Sequence, residues 1–182
     1  MNENNKIKNF YIPVKSYIIE KAQLIKLLIC DVDGVMTDGL VYMGNDGEEF
    51  KVFNAKDGYG IRSLLNNFIE VAIITGSKSK LLEIRAKTLD IHYIYQGYNK
   101  KILAYNDLKT KLKLESQQIA YIGDDLIDWP VMEKIGLSVA VADAHPFLLE
   151  RANYITSQPG GKGAVREVCD LILFAHNKIK NK

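Results

Sequence analysis

The chain has 182 residues, the size of one domain with a sizeable core and room for a small insertion. Its 24 Lys and Arg nearly balance its 22 Asp and Glu, for a formal charge of +2, so it carries no electrostatic footprint for nucleic acid or an anionic membrane. Two isolated cysteines, Cys30 and Cys169, lie in apolar stretches; they make neither a disulfide framework nor a zinc pattern and suit a reducing compartment.

Residues 1–23 read as a polar, Asn-rich N-terminal extension. Ile18 and Ile19 are followed at once by Glu20 and Lys21, which leaves no signal-peptide core or spanning helix and predicts a cytoplasmic protein. Residues 25–37, Ile-Lys-Leu-Leu-Ile-Cys-Asp-Val-Asp-Gly-Val-Met-Thr, then read as a buried parallel strand that turns at Gly34. The strand ends by presenting Asp31 and Asp33. Two apart on extended backbone, these carboxylates share a face and repel unless a cation or a shared proton compensates, and Mg²⁺ is the simplest compensation. Asp and Gly are also ordinary turn formers, so the pair alone does not decide.

Two short runs, 40–43 and 48–53, flank Gly44-Asn45-Asp46-Gly47 and predict a β-hairpin. Val41, Met43, Phe50 and Phe53 need a surface to cover, either the strand ends or a neighbouring subunit. Glu48, Glu49 and Lys51 would instead keep the hairpin solvated in a monomer. Beyond it, apolar runs at 71–75, 93–96, 119–122 and 137–141 alternate with helical spacing at 59–67, 78–89, 100–112, 127–135, 146–152 and 163–178. This rhythm predicts an α/β fold, a Rossmann-like doubly wound, mainly parallel sheet. One domain is expected over 24–178, including the hairpin at 39–54, with a basic tail at 179–182.

Ligands of such sheets gather beyond the carboxyl ends of the strands, so polar groups there are candidates. Thr75, before Gly76, could hydrogen-bond an oxyanion or cap a helix. Lys101 or its neighbour Lys100 could reach over the sheet edge. Asp124 and Asp125, with Asp128 one turn on, make a second acidic cluster, which repels itself unless a metal or an ammonium offsets it. Gly160-Gly161-Lys162-Gly163 could cradle an anion or serve as a flexible connection.

Taken together, Asp31-x-Asp33, Thr75, Lys101 and Gly123-Asp124-Asp125-x-x-Asp128 resemble, in order, the four motifs of the haloacid dehalogenase-like (HAD) phosphatase superfamily. The longer strings Asp31-Val-Asp-Gly-Val-Met-Thr-Asp-Gly, Asp57-Gly-Tyr-Gly-Ile-Arg62, Gly123-Asp-Asp-Leu-Ile-Asp-Trp-Pro-Val-Met-Glu and Ala140-Val-Ala-Asp-Ala-His-Pro resemble its branch acting on phosphorylated eight- and nine-carbon sugar acids for bacterial surface saccharides. The resemblance implies Asp31 as nucleophile, Asp33 as acid and base, and Thr75 and Lys101, rather than Lys100, as stabilisers of phosphoryl charge. It implies Mg²⁺ held by Asp31, the Asp33 carbonyl and Asp124, with Asp125 and Asp128 orienting the metal surroundings and the lysine.

Further implied substrate contacts are Asp33, Lys101, Ser77, Asn54, Ala55, Lys56, Asp57, Gly58, Arg62 and Arg85. The superfamily usually carries Thr-Gly-Arg where this chain has Thr75-Gly76-Ser77, a departure that Lys78 or Lys80 would have to compensate. A hairpin in place of the larger cap domain implies a homotetramer closed through the hairpins. A phospho-accepting receiver domain also uses acidic residues, a Thr and a Lys at strand ends, but its acceptor Asp belongs on a middle strand, where 71–75 offers Thr75.

Overall fold

The computed structural model describes residues 13–178; the predicted basic tail and residues 1–12 of the extension lie outside them. The elements run α1 (Ser16–Gln23), β1 (Leu27–Cys30), β2 (Tyr42–Met43), β3 (Glu49–Phe50), α2 (Ala55–Asn66), β4 (Glu70–Thr75), α3 (Lys80–Thr88) and β5 (Tyr93–Gln96). They continue with α4 (Lys101–Leu112), β6 (Ile119–Gly123), α5 (Trp129–Met132), β7 (Leu137–Ala140), α6 (Pro146–Arg151), β8 (Tyr154–Ile155) and α7 (Ala164–Ala175). Six strands form one sheet in the order β5-β4-β1-β6-β7-β8, all paired parallel. The predicted doubly wound sheet is the observed one.

β1 lies at the centre, with Leu28 opposite Val71 on one side and Ala120 on the other. All four β1 residues are buried, because helices cover both faces of a parallel sheet; this is why the run is continuously apolar instead of alternating. The chain steps outward from β1 to β4 and β5, then returns past β1 to β6, β7 and β8. Right-handed crossovers therefore put α2 and α4 on opposite faces and leave a crevice at the carboxyl ends of β4, β1 and β6. On one face α1 and α2 pack against α7, whose Val165, Val168, Cys169, Leu171 and Ile172 are buried.

Four local differences from the sequence reading have physical causes. Residues 16–23, assigned to an extension, form α1, and its Ile18 and Ala22 enter the same core as the sheet. α2 starts at Ala55 and not at 59, because the Asn54 side chain accepts the Lys56 N–H at 2.9 Å and caps it. Gly58 and Gly60 then lie inside the helix, where a Cβ on Gly60 would stand 3.0 Å from that of Cys169 on α7. α5 covers only 129–132 of the predicted 127–135, and β8 is two residues long, too short for any period to reveal.

The hairpin pairs Tyr42 with Phe50 and is closed by the Gly44 N–H donating to the Glu48 carbonyl at 2.8 Å. Leu40, Val41, Met43, Phe50 and Val52 are exposed, whereas Phe53 turns inward onto the core. Among the described residues no helix is long and apolar enough to cross a membrane.

Candidate active site

Asp31 continues the ladder of β1, its N–H donating to the Ile122 carbonyl at 3.1 Å, so its carboxylate stands at the sheet edge. The chain then folds over itself: the N–H groups of Val35, Met36 and Thr37 all donate to the Val32 carbonyl, at 3.2, 2.9 and 3.0 Å. Gly34 makes this possible with φ +86° and with the space it leaves, since a Cβ there would lie 2.1 Å from Asp124 Oδ2. Behind the turn, the Gly161 N–H donates to the Val35 carbonyl at 2.9 Å, and a Cβ on Gly160 would overlap the Gly34 carbonyl oxygen. Gly160 and Gly161 thus brace the acidic turn, while the Gly160 N–H donates to Asp143 Oδ1 at 2.9 Å and the Lys162 N–H to the Pro159 carbonyl at 3.1 Å.

Lys101 opens α4 and is nearly buried, with Nζ 2.7 Å from Asp31 Oδ1 and 2.6 Å from Asp128 Oδ1. Asp128 also accepts from the Tyr121 hydroxyl at 2.7 Å and from the N–H groups of Asp124 and Asp125 at 3.0 and 3.2 Å. Lys100, beside it, is exposed. Asp31, Asp33, Thr75, Gly76, Ser77, Lys101, Asp124, Asp125 and Ile127 line one cavity of about 200 Å³. Four motifs, far apart in sequence, meet there.

The site is short of positive charge. Burial, then Asp128, raises the Asp31 carboxyl above the ordinary carboxylate range, with Lys101 opposing; burial, then Asp31 and Asp128, raises Asp124. Burial also pushes Lys101 down, but Asp31 and Asp128 outweigh it and keep the ammonium charged. Oxygens of Asp31, Asp124 and Asp128 lie within 4.8 Å of one another. Asp128 is committed to four donors, so Asp31 and Asp124 are the carboxylates left to a cation. A buried and a half-buried carboxylate that repel one another fit a hard divalent ion such as Mg²⁺.

Ser77, at the position of the superfamily's arginine, donates from Oγ to Asp33 Oδ2 at 2.7 Å and from its N–H to Thr75 Oγ1 at 3.2 Å. Lys78 and Lys80 are exposed and stand outside the cavity. The other oxygen of Asp33 takes a cation that sequence reasoning offered only as a means of keeping the hairpin solvated: Lys51, just after β3, hydrogen-bonds Asp33 Oδ1, and its side chain is only 9% exposed. A signal for this existed. Lys51 and Phe53 are two apart on extended backbone and share a face, so an inward Phe53 carries Lys51 inward with it.

The remaining predicted contacts do not reach the cavity of a single chain. Ala55 and Lys56 are exposed, and Asn54 Nδ2 donates to the Gly161 carbonyl at 3.2 Å. Asp57 is buried and accepts the Arg166 N–H at 2.7 Å, tying α2 to α7. Gly58 gives room to Arg85, whose Nη2 donates to the Asn54 carbonyl at 3.3 Å. Arg62 pairs with Asp90 on the surface.

A family profile described as haloacid dehalogenase-like hydrolase matches residues 61–167, which include Thr75, Lys101, Asp124 and Asp128. The 3-deoxy-D-manno-octulosonate 8-phosphate phosphatase of Yersinia pestis is 59% identical over 180 residues, 99% of this chain and 96% of that protein. A crystal structure of the Yersinia pestis phosphatase superposes with a TM-score of 0.92 at 62% identity, covering 92% of this chain and 91% of that one. The corresponding phosphatase from Moraxella catarrhalis, solved with a magnesium ion, a phosphate ion and a KDO molecule, gives a TM-score of 0.88 at 41% identity, covering 90% of this chain and 94% of that one.

Proposed function

The chain belongs to the haloacid dehalogenase-like hydrolases, and on that premise we propose that it hydrolyses 3-deoxy-D-manno-octulosonate 8-phosphate to the free sugar acid and inorganic phosphate, with Mg²⁺ as cofactor, in the cytoplasm and toward lipopolysaccharide. The observation that carries this reading is the convergence of Asp31, Asp33, Thr75, Lys101 and Asp124 on one small cavity. Asp31 attacks phosphorus in line; its new P–O bond forms as the bond to the sugar oxygen breaks. Asp33 gives that oxygen its proton, then takes one from the water that hydrolyses the aspartyl phosphate. Thr75 and Lys101 stabilise charge on the transferring oxygens, and Asp128 holds Lys101 in place.

Mg²⁺ would be held by Asp31, Asp124 and the Asp33 carbonyl, where it lowers the repulsion between a carboxylate nucleophile and a dianionic phosphate. Asp125 lines the same cavity and would orient this shell. We assign Asn54, Ala55, Lys56, Asp57, Gly58, Arg62 and Arg85 to sugar-acid recognition only within a homotetramer, in which hairpins associate and a neighbouring copy closes each site. A phosphate-release screen over sugar phosphates, with Mg²⁺ or chelator, tests the reading. Release from the named substrate is expected to vanish with chelator and in Asp31→Asn. Activity that survives the substitution rejects the nucleophile, and equal rates on unrelated phosphates reject the substrate.

A further inference from the structure

Most of the hairpin faces outward, with Val41 73% and Met43 75% exposed, yet one of its residues is drawn into the site. Lys51 follows the return strand directly and buries its ammonium against Asp33, with Glu49 Oε1 3.4 Å away as a second partner. The Asp33 side chain is 41% exposed at the mouth of the cavity, where a carboxylate without fixed partners would sample several rotamers. Its two oxygens are instead held from opposite directions, Oδ1 by Lys51 and Oδ2 by the Ser77 hydroxyl. Ser77 is in turn fixed through its N–H to Thr75, at the end of a buried strand.

We propose that Lys51, with Ser77 as the opposite arm, is a positioning residue that clamps the Asp33 carboxylate in line with the leaving-group oxygen, so that the hairpin's seat on the domain governs proton transfer to that oxygen. The proposal rests on the reading of Asp33 as acid and base. Lys51 does not line the cavity, and so acts through Asp33 instead of on phosphate. Ser77 thereby gains a role that an arginine at this position would not fill in the same way: a short hydroxyl reaches Oδ2 at 2.7 Å, adding no charge. Misplacing a reacting group by about 1 Å can cost on the order of 100-fold in rate, which sets the size of the expected effect.

The test compares two classes of ester by kcat/KM, which reports the steps up to departure of the leaving group. A sugar phosphate or another primary alkyl phosphate leaves as an alkoxide and needs the proton; p-nitrophenyl phosphate leaves without one. Lys51→Met keeps the apolar stem and removes the ammonium. It is expected to lose about 100-fold on the alkyl ester and about 3-fold or less on the aryl ester, with Lys51→Arg recovering most of the loss. Ser77→Ala should show the same selectivity at smaller amplitude. Equal losses on both esters, or no loss on either, overturn the proposal, and a far-ultraviolet spectrum and melting curve matching the parent keep a folding defect from imitating it. The parent enzyme's failure on the named sugar would instead count against the substrate reading, since any alkyl ester it does cleave still tests the clamp.

Discussion

At the scale of single residues, the site is organised around a charge imbalance that one lysine only partly relieves. Lys101 is bonded to both Asp31 and Asp128, and Tyr121 and two backbone N–H groups complete Asp128. Asp31 and Asp124 stay raised above the usual carboxylate range by burial and by neighbouring negative charge. For acids raised in the fold, ionisation opposes folding: the metal-free chain is favoured below about pH 4, where both states hold the protons, and loses stability as pH rises through the raised values. A divalent ion competes with those protons. Mg²⁺ is therefore expected to raise the melting temperature more at about pH 8.5 than at about pH 5.5, and Asp124→Asn should remove most of that difference. Melting curves with Mg²⁺ or chelator at the two pH values check it; an effect independent of pH contradicts the assignment of these ligands.

At the scale of elements, the contact between α2 and α7 carries its own titrating group. Asp57 sits in the first turn of α2, accepts the Arg166 N–H through Oδ1, and leaves Oδ2 buried without a partner. Burial raises its pKa to about 6 against the opposing pull of the Arg166 N–H, Arg85 and the Arg166 charge. The sign follows: the cost of an ionised Asp57 is full above about pH 6 and gone below about pH 4. Relative to Asp57→Asn, the parent chain should gain on the order of 2 kcal/mol of stability between about pH 7 and about pH 4, measured by urea unfolding. A difference that stays flat with pH would mean that Asp57 titrates normally. The same helix starts before residue 59 because Asn54 caps it, and its glycines at 58 and 60 admit Arg85 and Cys169.

At the scale of the whole molecule, the exposed hairpin is the feature that a single chain leaves unexplained. Leu40, Val41, Met43, Phe50 and Val52 are all exposed on one small projection, and a net charge of +2 provides little repulsion between copies. With the homotetramer proposed above, Met43→Glu combined with Phe50→Glu is expected to yield monomers, and the parent chain to run as a tetramer at micromolar concentration. Light scattering coupled to size exclusion measures both. A parent chain that is already monomeric removes the assembly and, with it, the assignment of Arg62 and Arg85 to substrate.

The sequence by itself determined the parallel sheet and the acidic strand end. Both are local: a run such as Leu27–Cys30 is apolar on both faces because helices cover both, and carboxylates two apart repel wherever they occur. Thr75, Lys101, Asp124 and Asp128 were legible as candidates for the same reason, each standing where a strand ends. Tertiary structure alone decided their partners. Lys51 reads as a surface lysine until Phe53 turns inward, Asp57 reads as a loop acid until α7 packs on it, and the run at 160–163 reads as an anion cradle or a flexible connection until Gly160 and Gly161 meet the back of the Gly34 turn. Each of those outcomes depends on a contact between distant segments, and the sequence records the residue type on each side but not the approach that brings the two together.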